Sequence, residues 1–300
     1  MNNDPLPPGF AWNQADLSGD APSEMHSGLL MLMAFEERGT PHLIGTAFIA
    51  EFSGDTAVAI TAAHNLTGAA RAQVPIGRHH PSALEEFLPG FQRVSIDPRR
   101  LQVTYQCGER VSSGRINWAV WNVAADLAVF SLTLINLDGL QFEKMFPLSA
   151  ELPKIGSMIG VLGYAHMSVS NVTLEGGWLG SLTVGRRLAL RVGTVTAHHP
   201  EGHLLCRGPC IETTVPAFGG MSGGPAFIYA RDTTVRPFGL ISSDQRDDDD
   251  PAKNDRSIPG SAILALLPIR IENQGGGKQE VFFTIDKLLS AGIAELDEHT

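Results

Sequence analysis

The chain has 300 residues, 43% of them hydrophobic and 18% charged, with 32 glycines and 19 prolines. That composition excludes disorder, collagen and coiled coil, and it supplies apolar material for one large or two small cores. The longest apolar runs, Leu29 to Phe35 and Ile263 to Ile269, fall far short of the roughly 18 to 20 residues of a membrane-crossing helix. A net charge of -10 opposes binding to phosphate backbones and anionic lipid, so neither nucleic acid nor membrane is an expected partner.

The opening Met1-Asn2-Asn3-Asp4-Pro5 shows no basic n-region or apolar h-region, and three cysteines are too few for a disulfide framework. Both point to a reducing, cytoplasmic setting. Short runs of β character, separated by glycine, proline and polar clusters, then follow one another along the chain. They predict strands at 29–36, 42–52, 56–61, 101–106, 115–121, 127–134, 158–163, 171–182, 188–196, 204–213, 226–230 and 237–242. About a dozen strands suggest two barrels or sandwiches. Residues 69–100 turn polar and proline-rich and read as an irregular insertion, and 244–259 as a second long loop. The stretch 138–153 lacks alternation and reads as the link between two β units. One helix is predicted, Ile285 to Ala291, capped by Thr284 and stopped by Gly292. The expected organisation is an extension over 1–27, β units over 28–140 and 141–275, and a terminal strand and helix over 276–300.

The most informative stretch is Gly219-Gly220-Met221-Ser222-Gly223-Gly224-Pro225. Glycines around a serine permit unusual backbone angles and leave N–H groups open to a substrate carbonyl, as an oxyanion hole requires. A serine nucleophile also needs a base and a group that orients the base. Among ten histidines, His64 ends the apolar run Ala59-Ile60-Thr61-Ala62-Ala63. Asp126 lies in the apolar run Ala124 to Phe130, where a carboxylate is costly unless it accepts hydrogen bonds. Asp97 and Asp138 are its rivals.

Thr-Ala-Ala-His, Asp-Leu-Ala-Val and Gly-Met-Ser-Gly-Gly-Pro, in that order, resemble the trypsin-like serine endopeptidases over roughly Gly28 to Leu267. The resemblance implies an all-β fold of two packed antiparallel Greek-key barrels, His64 as general base, Asp126 as its orienting acid and Ser222 as nucleophile. It implies an oxyanion hole from the N–H groups of Gly220 and Ser222. It further implies an extended peptide substrate along Gly239-Leu240-Ile241-Ser242, with Ser242 near the aspartate and Ser243 and Asp244 beyond it. Secreted members carry an aspartate where this chain has Met221, so activation by a new N-terminus is not expected. The chain is closer here to intracellular and bacterial heat-shock-type members without a peptide-binding appendage. The position that sets specificity falls on Pro216, and Phe218 and Gly219 beside it suggest a small or apolar side chain before the scissile bond. A regulatory protein partner is a further expectation for a protease without a propeptide.

Other features read more plainly. His198, His199, His203, Cys206 and Cys210 crowd into one segment, but their spacing fits no zinc module, and a surface loop with partly buried thiols is expected rather than a metal or other cofactor. Asp247 to Asp250 read as a solvated loop. Two rival functions remain: a silent binding protein on a protease scaffold, and a non-peptidase serine hydrolase. The second has the wrong chain order, because only His299 follows Ser222.

Overall fold

The computed structural model describes residues 15–16, 23–35, 41–73, 90–108, 110–135, 139–175, 178–229, 235–244, 260–268, 270–274 and 277–281. Its elements in the first half are β1 (Ala15–Asp16), α1 (Ser23–His26), β2 (Leu29–Phe35), β3 (Pro41–Ser53), β4 (Thr56–Thr61), α2 (His64–Thr67), β5 (Ala70–Gln73), β6 (Gln92–Ile96), β7 (Leu101–Cys107), β8 (Arg110–Asn122) and β9 (Leu127–Ile135). The second half holds β10 (Met158–Glu175), β11 (Trp178–His199), β12 (Cys210–Ala217), β13 (Pro225–Ile228), β14 (Pro237–Asp244), β15 (Gly260–Leu266), β16 (Arg270–Gln274) and β17 (Gly277–Val281).

Strand pairing closes two rings. The first runs β2-β3-β4-β9-β8-β7 and returns to β2, and the second runs β10-β11-β12-β15-β14-β13 and returns to β10. Counted within each ring, both follow the order 1-2-3-6-5-4 with antiparallel neighbours throughout. The protein is therefore a pair of six-stranded antiparallel Greek-key barrels of the chymotrypsin type, each strand of a ring pairing with a neighbour on both sides over part of its length.

The seam between the barrels explains the unbroken apolar runs. Leu30 and Leu32 of β2, Ala57 and Ala59 of β4, and Ala128 and Phe130 of β9 fill the first barrel. Their alternating neighbours Leu29, Met31, Val58, Ile60, Leu127 and Val129 instead join Leu162, Tyr164 and Leu240 of the second half in one cluster. A strand buried on both faces reads as continuous hydrophobicity rather than alternation. The second barrel is filled by Ile159, Val161, Ala189, Val215, Phe238 and Leu264.

Several expectations are corrected. The polar stretch 69–100 is not wholly irregular: β5 and β6 pair with each other, and β6 adds to β8. The run 171–182 is not one strand, because β10 ends at Glu175 and β11 begins at Trp178. Strand structure does not start at Leu204. Leu204 has φ +51 and Gly202 φ +93, Leu204 and Leu205 are exposed, and the strand begins at Cys210. Two apolar residues on a loop had mimicked a strand. Within the expected extension, β1 pairs with β11 of the second barrel. On either side of the expected boundary at 275/276, Gln274 pairs with Gly277. The predicted helix, the run Asp247 to Asp250 and Asp138 lie outside the described residues.

Asp97, a rival for the orienting acid, is a structural carboxylate. Its Oδ2 accepts from Arg71 Nη2 at 2.6 Å, and its Oδ1 accepts from the Arg99 N–H at 2.9 Å. Burial pushes this carboxyl up, but the Arg71 and Arg99 hydrogen bonds outweigh it and hold the pKa at about 2, below the ordinary 3.8. The folded state thus favours the carboxylate, a contribution present above about 3.8 and lost as pH falls towards about 2. Asp97→Asn should therefore be less stable than wild type at pH 6, with the gap in urea midpoint closing between pH 4 and pH 2.

Candidate active site

Two short connections at the barrel seam place a histidine against an aspartate. β4 ends at Thr61, and the chain folds at once into α2, whose first residue is His64. Small Ala62 and Ala63, both fully buried, let the turn sit beside the start of β9, where the Ala63 N–H donates to the Asp126 carbonyl at 3.2 Å. Asp126 itself has φ +52, an αL backbone that aspartate tolerates better than most residues.

The Asp126 carboxylate is only 10% exposed, and protein donors surround it. His64 Nδ1 lies 3.0 Å from Oδ2 and 3.1 Å from Oδ1, the His64 backbone N–H donates to Oδ1 at 3.0 Å, and Ser242 Oγ donates to Oδ2 at 2.6 Å. A carboxylate facing Nδ1 assigns the imidazole proton to that nitrogen and leaves Nε2 with a free lone pair. The His64 side chain is 47% exposed, so the imidazole is open to solvent.

Ser222 is brought to the same place through its backbone. Its carbonyl accepts from the Thr46 N–H at 2.9 Å and from Asn65 Nδ2 at 3.0 Å, and Asn65 directly follows His64. Thr46 Oγ1 donates to the Gly220 carbonyl and accepts from the Tyr164 N–H, both at 2.9 Å. The Ser222 hydroxyl makes no hydrogen bond to His64, so the structure joins His64, Asp126 and Ser242 directly and Ser222 only through these tethers. Thr46 and Asn65 were missed in the sequence; the signal was Gly45, whose Cβ would fall 2.3 Å from Asn65 Nδ2.

The loop before Ser222 is a closed turn. The Met221 N–H donates to the Phe218 carbonyl at 3.1 Å, and Gly220 has φ +95, the pattern of a type II turn with glycine at its third position. The N–H groups of Gly220 and Ser222 donate to no acceptor among the described residues. After the serine, Gly223 has φ +83, and a Cβ on Gly224 would lie 1.9 Å from the Leu162 carbonyl oxygen.

The other expected residues frame one side of this loop. Pro216 is buried in β12 opposite Ser261, Gly219 is half-buried in the turn, and Ser242 is buried against Asp126. Ser243 and Asp244 pair with β15, and the Ser243 hydroxyl is buried without a partner. Opposite β15, Ile241 of β14 bonds the serine loop through Gly223 and Gly224, and beyond it β14 has no strand on that edge among the described residues.

Phe218 is half-buried, and its ring carries the guanidinium of Arg191 at 4.9 Å from its centroid. Arg191, which no local motif marks in the sequence, is 2% exposed. It donates one hydrogen bond, from Nη1 to the Leu190 carbonyl at 3.2 Å, and no carboxylate among the described residues pairs with it. Burial, with Arg187 nearby, lowers its pKa. A desolvated cation–π contact is worth about 2 kcal/mol, less than the several kcal/mol that burying an ion costs.

The crowded histidine segment partly gathers in space. His199, His203 and Glu212 bring their ligand atoms within 4.8 Å of one another. His199 Nε2 already meets Glu212 Oε2 at 3.0 Å, and the two imidazoles stack 4.3 Å apart at 10°. In nearly parallel planes their in-plane lone pairs do not converge on a single ion. Cys206 and Cys210 are buried free thiols, and burial drives Cys206 up to about 12, an inert form. The Cys206 thiol lies 3.6 Å from the Ala125 carbonyl, and the Arg207 N–H donates to Ala124, so this loop braces the turn that presents Asp126.

Fold and constellation together define a two-barrel chymotrypsin-type protein with a histidine, a buried aspartate and a glycine-flanked serine at its seam. Among solved structures, the chain is similar to Deg5, at 16% identity and a TM-score of 0.41 over 74% of this chain and 82% of that one. It is also similar to the protease Anisep from Arthrobacter nicotinovorans, at 11% identity and a TM-score of 0.47 over 89% of this chain and 96% of that one. No family model and no curated protein sequence matches it. No helix among the described residues is long and apolar enough to cross a membrane.

Two glycine substitutions test the serine loop's packing. Gly224→Ala should lower the melting temperature by several degrees, since backbone at 1.9 Å cannot yield without shifting β10. Gly68→Ala, with nothing within 4 Å and φ -66, should leave it within a degree or raise it slightly. Differential scanning calorimetry of both variants makes the comparison.

Proposed function

We propose that the protein is a serine endopeptidase acting through Ser222, His64 and Asp126. The observation that carries this reading is the hydrogen-bonded series Ser242–Asp126–His64 beside a serine in a glycine-rich loop, where the Gly220 and Ser222 N–H groups meet no acceptor among the described residues. A peptide extends along the free edge of β14 near Ser242, Ser243 and Asp244, with its side chain before the scissile bond against Pro216, Phe218 and Gly219. Ser222 Oγ attacks the scissile carbonyl as its proton passes to His64 Nε2, and the Gly220 and Ser222 N–H groups receive the developing oxyanion. The same proton goes to the leaving amine, and the acyl-enzyme remains. Water, deprotonated by Nε2, then adds to the acyl carbon, and collapse releases the acid and returns the proton to Ser222. Asp126 stays ionised, holds the tautomer and stabilises the imidazolium.

A silent scaffold has one observation in its favour, the missing hydrogen bond between Ser222 and His64. Catalytic contacts of this kind often tighten only when substrate binds. Intact mass after a fluorophosphonate separates the two readings: one adduct on Ser222, lost in His64→Ala, is expected for the peptidase and no adduct for the scaffold. Ser222→Ala should lower kcat by several orders of magnitude, on the order of 10^6-fold, at unchanged melting temperature. Ser242 positions rather than reacts. Ser242→Ala should lower kcat about tenfold or more with little change in KM, because a charge-assisted hydrogen bond to Asp126 is lost.

A further inference from the structure

We propose that Arg191 makes the site selective for an acidic side chain, aspartate or glutamate, at the residue whose carbonyl Ser222 attacks. This rests on the peptidase reading and names its substrate class. Arg191 pairs across the sheet with Val161 of β10, which pairs with Ala226 of β13, four residues after Ser222 in the chain. Cross-strand partners share a face. Val161 and Ala226 lie in the cluster that also holds Ala217 and Met221, so the guanidinium projects into the interior beneath the segment that carries the oxyanion donors. It reaches Phe218, a half-buried residue of that segment, with the guanidinium carbon 4.9 Å from the ring centroid.

A substrate carbonyl held at the Gly220 and Ser222 N–H groups brings its own side chain against Phe218 and Gly219. There it meets a fixed cation with four of its five N–H donors unspent, and no carboxylate on it, among the described residues. A carboxylate satisfies that fork bidentately. An amide of the same shape offers one acceptor and turns an NH2 towards the cation, a lysine is repelled, and an apolar side chain leaves the guanidinium as it was. This replaces the small or apolar preference suggested by Phe218 and Pro216 in the sequence, where Arg191 stood on a distant strand with no motif around it.

The test uses the full chain as Ser222→Ala, which binds without turnover. Heptapeptide pools, N-acetylated and C-amidated, carry Glu, Asp, Gln, Leu or Lys at the central position, and binding is read by fluorescence anisotropy. The acidic pools should bind at least about tenfold tighter than the Gln pool. That gap should vanish in Arg191→Met/Ser222→Ala and shrink in Arg191→Lys/Ser222→Ala. Equal binding of the Glu and Gln pools to the unmodified pocket overturns the proposal even if Arg191→Met fails to fold. So does a gap that survives in Arg191→Met/Ser222→Ala or stays undiminished in Arg191→Lys/Ser222→Ala. A sulfate-induced rise in melting temperature that depends on Arg191, without a Glu-over-Gln gap, would mark a free-anion site and also overturn it. The fluorophosphonate result reports separately: labelled Ser222 with equal pools keeps the peptidase and loses the selectivity, and unlabelled Ser222 with an acidic gap does the reverse.

Discussion

Thr46 is the point on which the geometry of the site depends. Its N–H holds the Ser222 carbonyl, its hydroxyl donates to Gly220 and accepts from Tyr164, and its carbonyl accepts from Thr61 at 2.7 Å. A residue of β3 in the first barrel thus fixes the serine loop and the first strand of the second. Neither barrel could form this arrangement alone, because the loop's carbonyls are satisfied by donors from the other side of the seam. Buried backbone groups without such partners would each cost on the order of 1 to 3 kcal/mol.

The same seam makes a buried carboxylate tolerable. Asp126 is nearly enclosed, and an ionised carboxylate there survives only if its oxygens accept several hydrogen bonds. Three come from His64 and Ser242, and the thiol loop at Cys206 and Arg207 braces the turn from outside. Asp97 solves the same problem with two arginines. Arg191 is the contrasting case, a buried cation with no counter-charge among the described residues.

Much of this was legible in the sequence wherever a local signal existed. The β2, β4 and β9 runs, the small residues before His64, and the glycines around Ser222 each have a physical cause that acts within a few residues. The lost elements have none. β5 and β6 are short, polar-edged strands that exist because β8 offers an edge, and Leu204 and Leu205 looked like strand because exposure is not written in hydrophobicity. Thr46, Asn65 and Arg191 matter through partners far along the chain, and only Gly45 left a trace of that.

The αL backbone of Asp126 has a consequence for which residues this site can accept. Position 126 is filtered twice, once by charge and once by a φ of +52 that only glycine, asparagine and aspartate enter readily. Glutamate, the nearest chemical relative, meets the first condition and fails the second. Asparagine meets the second and keeps the shape without the charge. Electrostatics and main-chain sterics together therefore favour aspartate over glutamate at this position, and a main chain that suits asparagine would keep the turn while losing the charge.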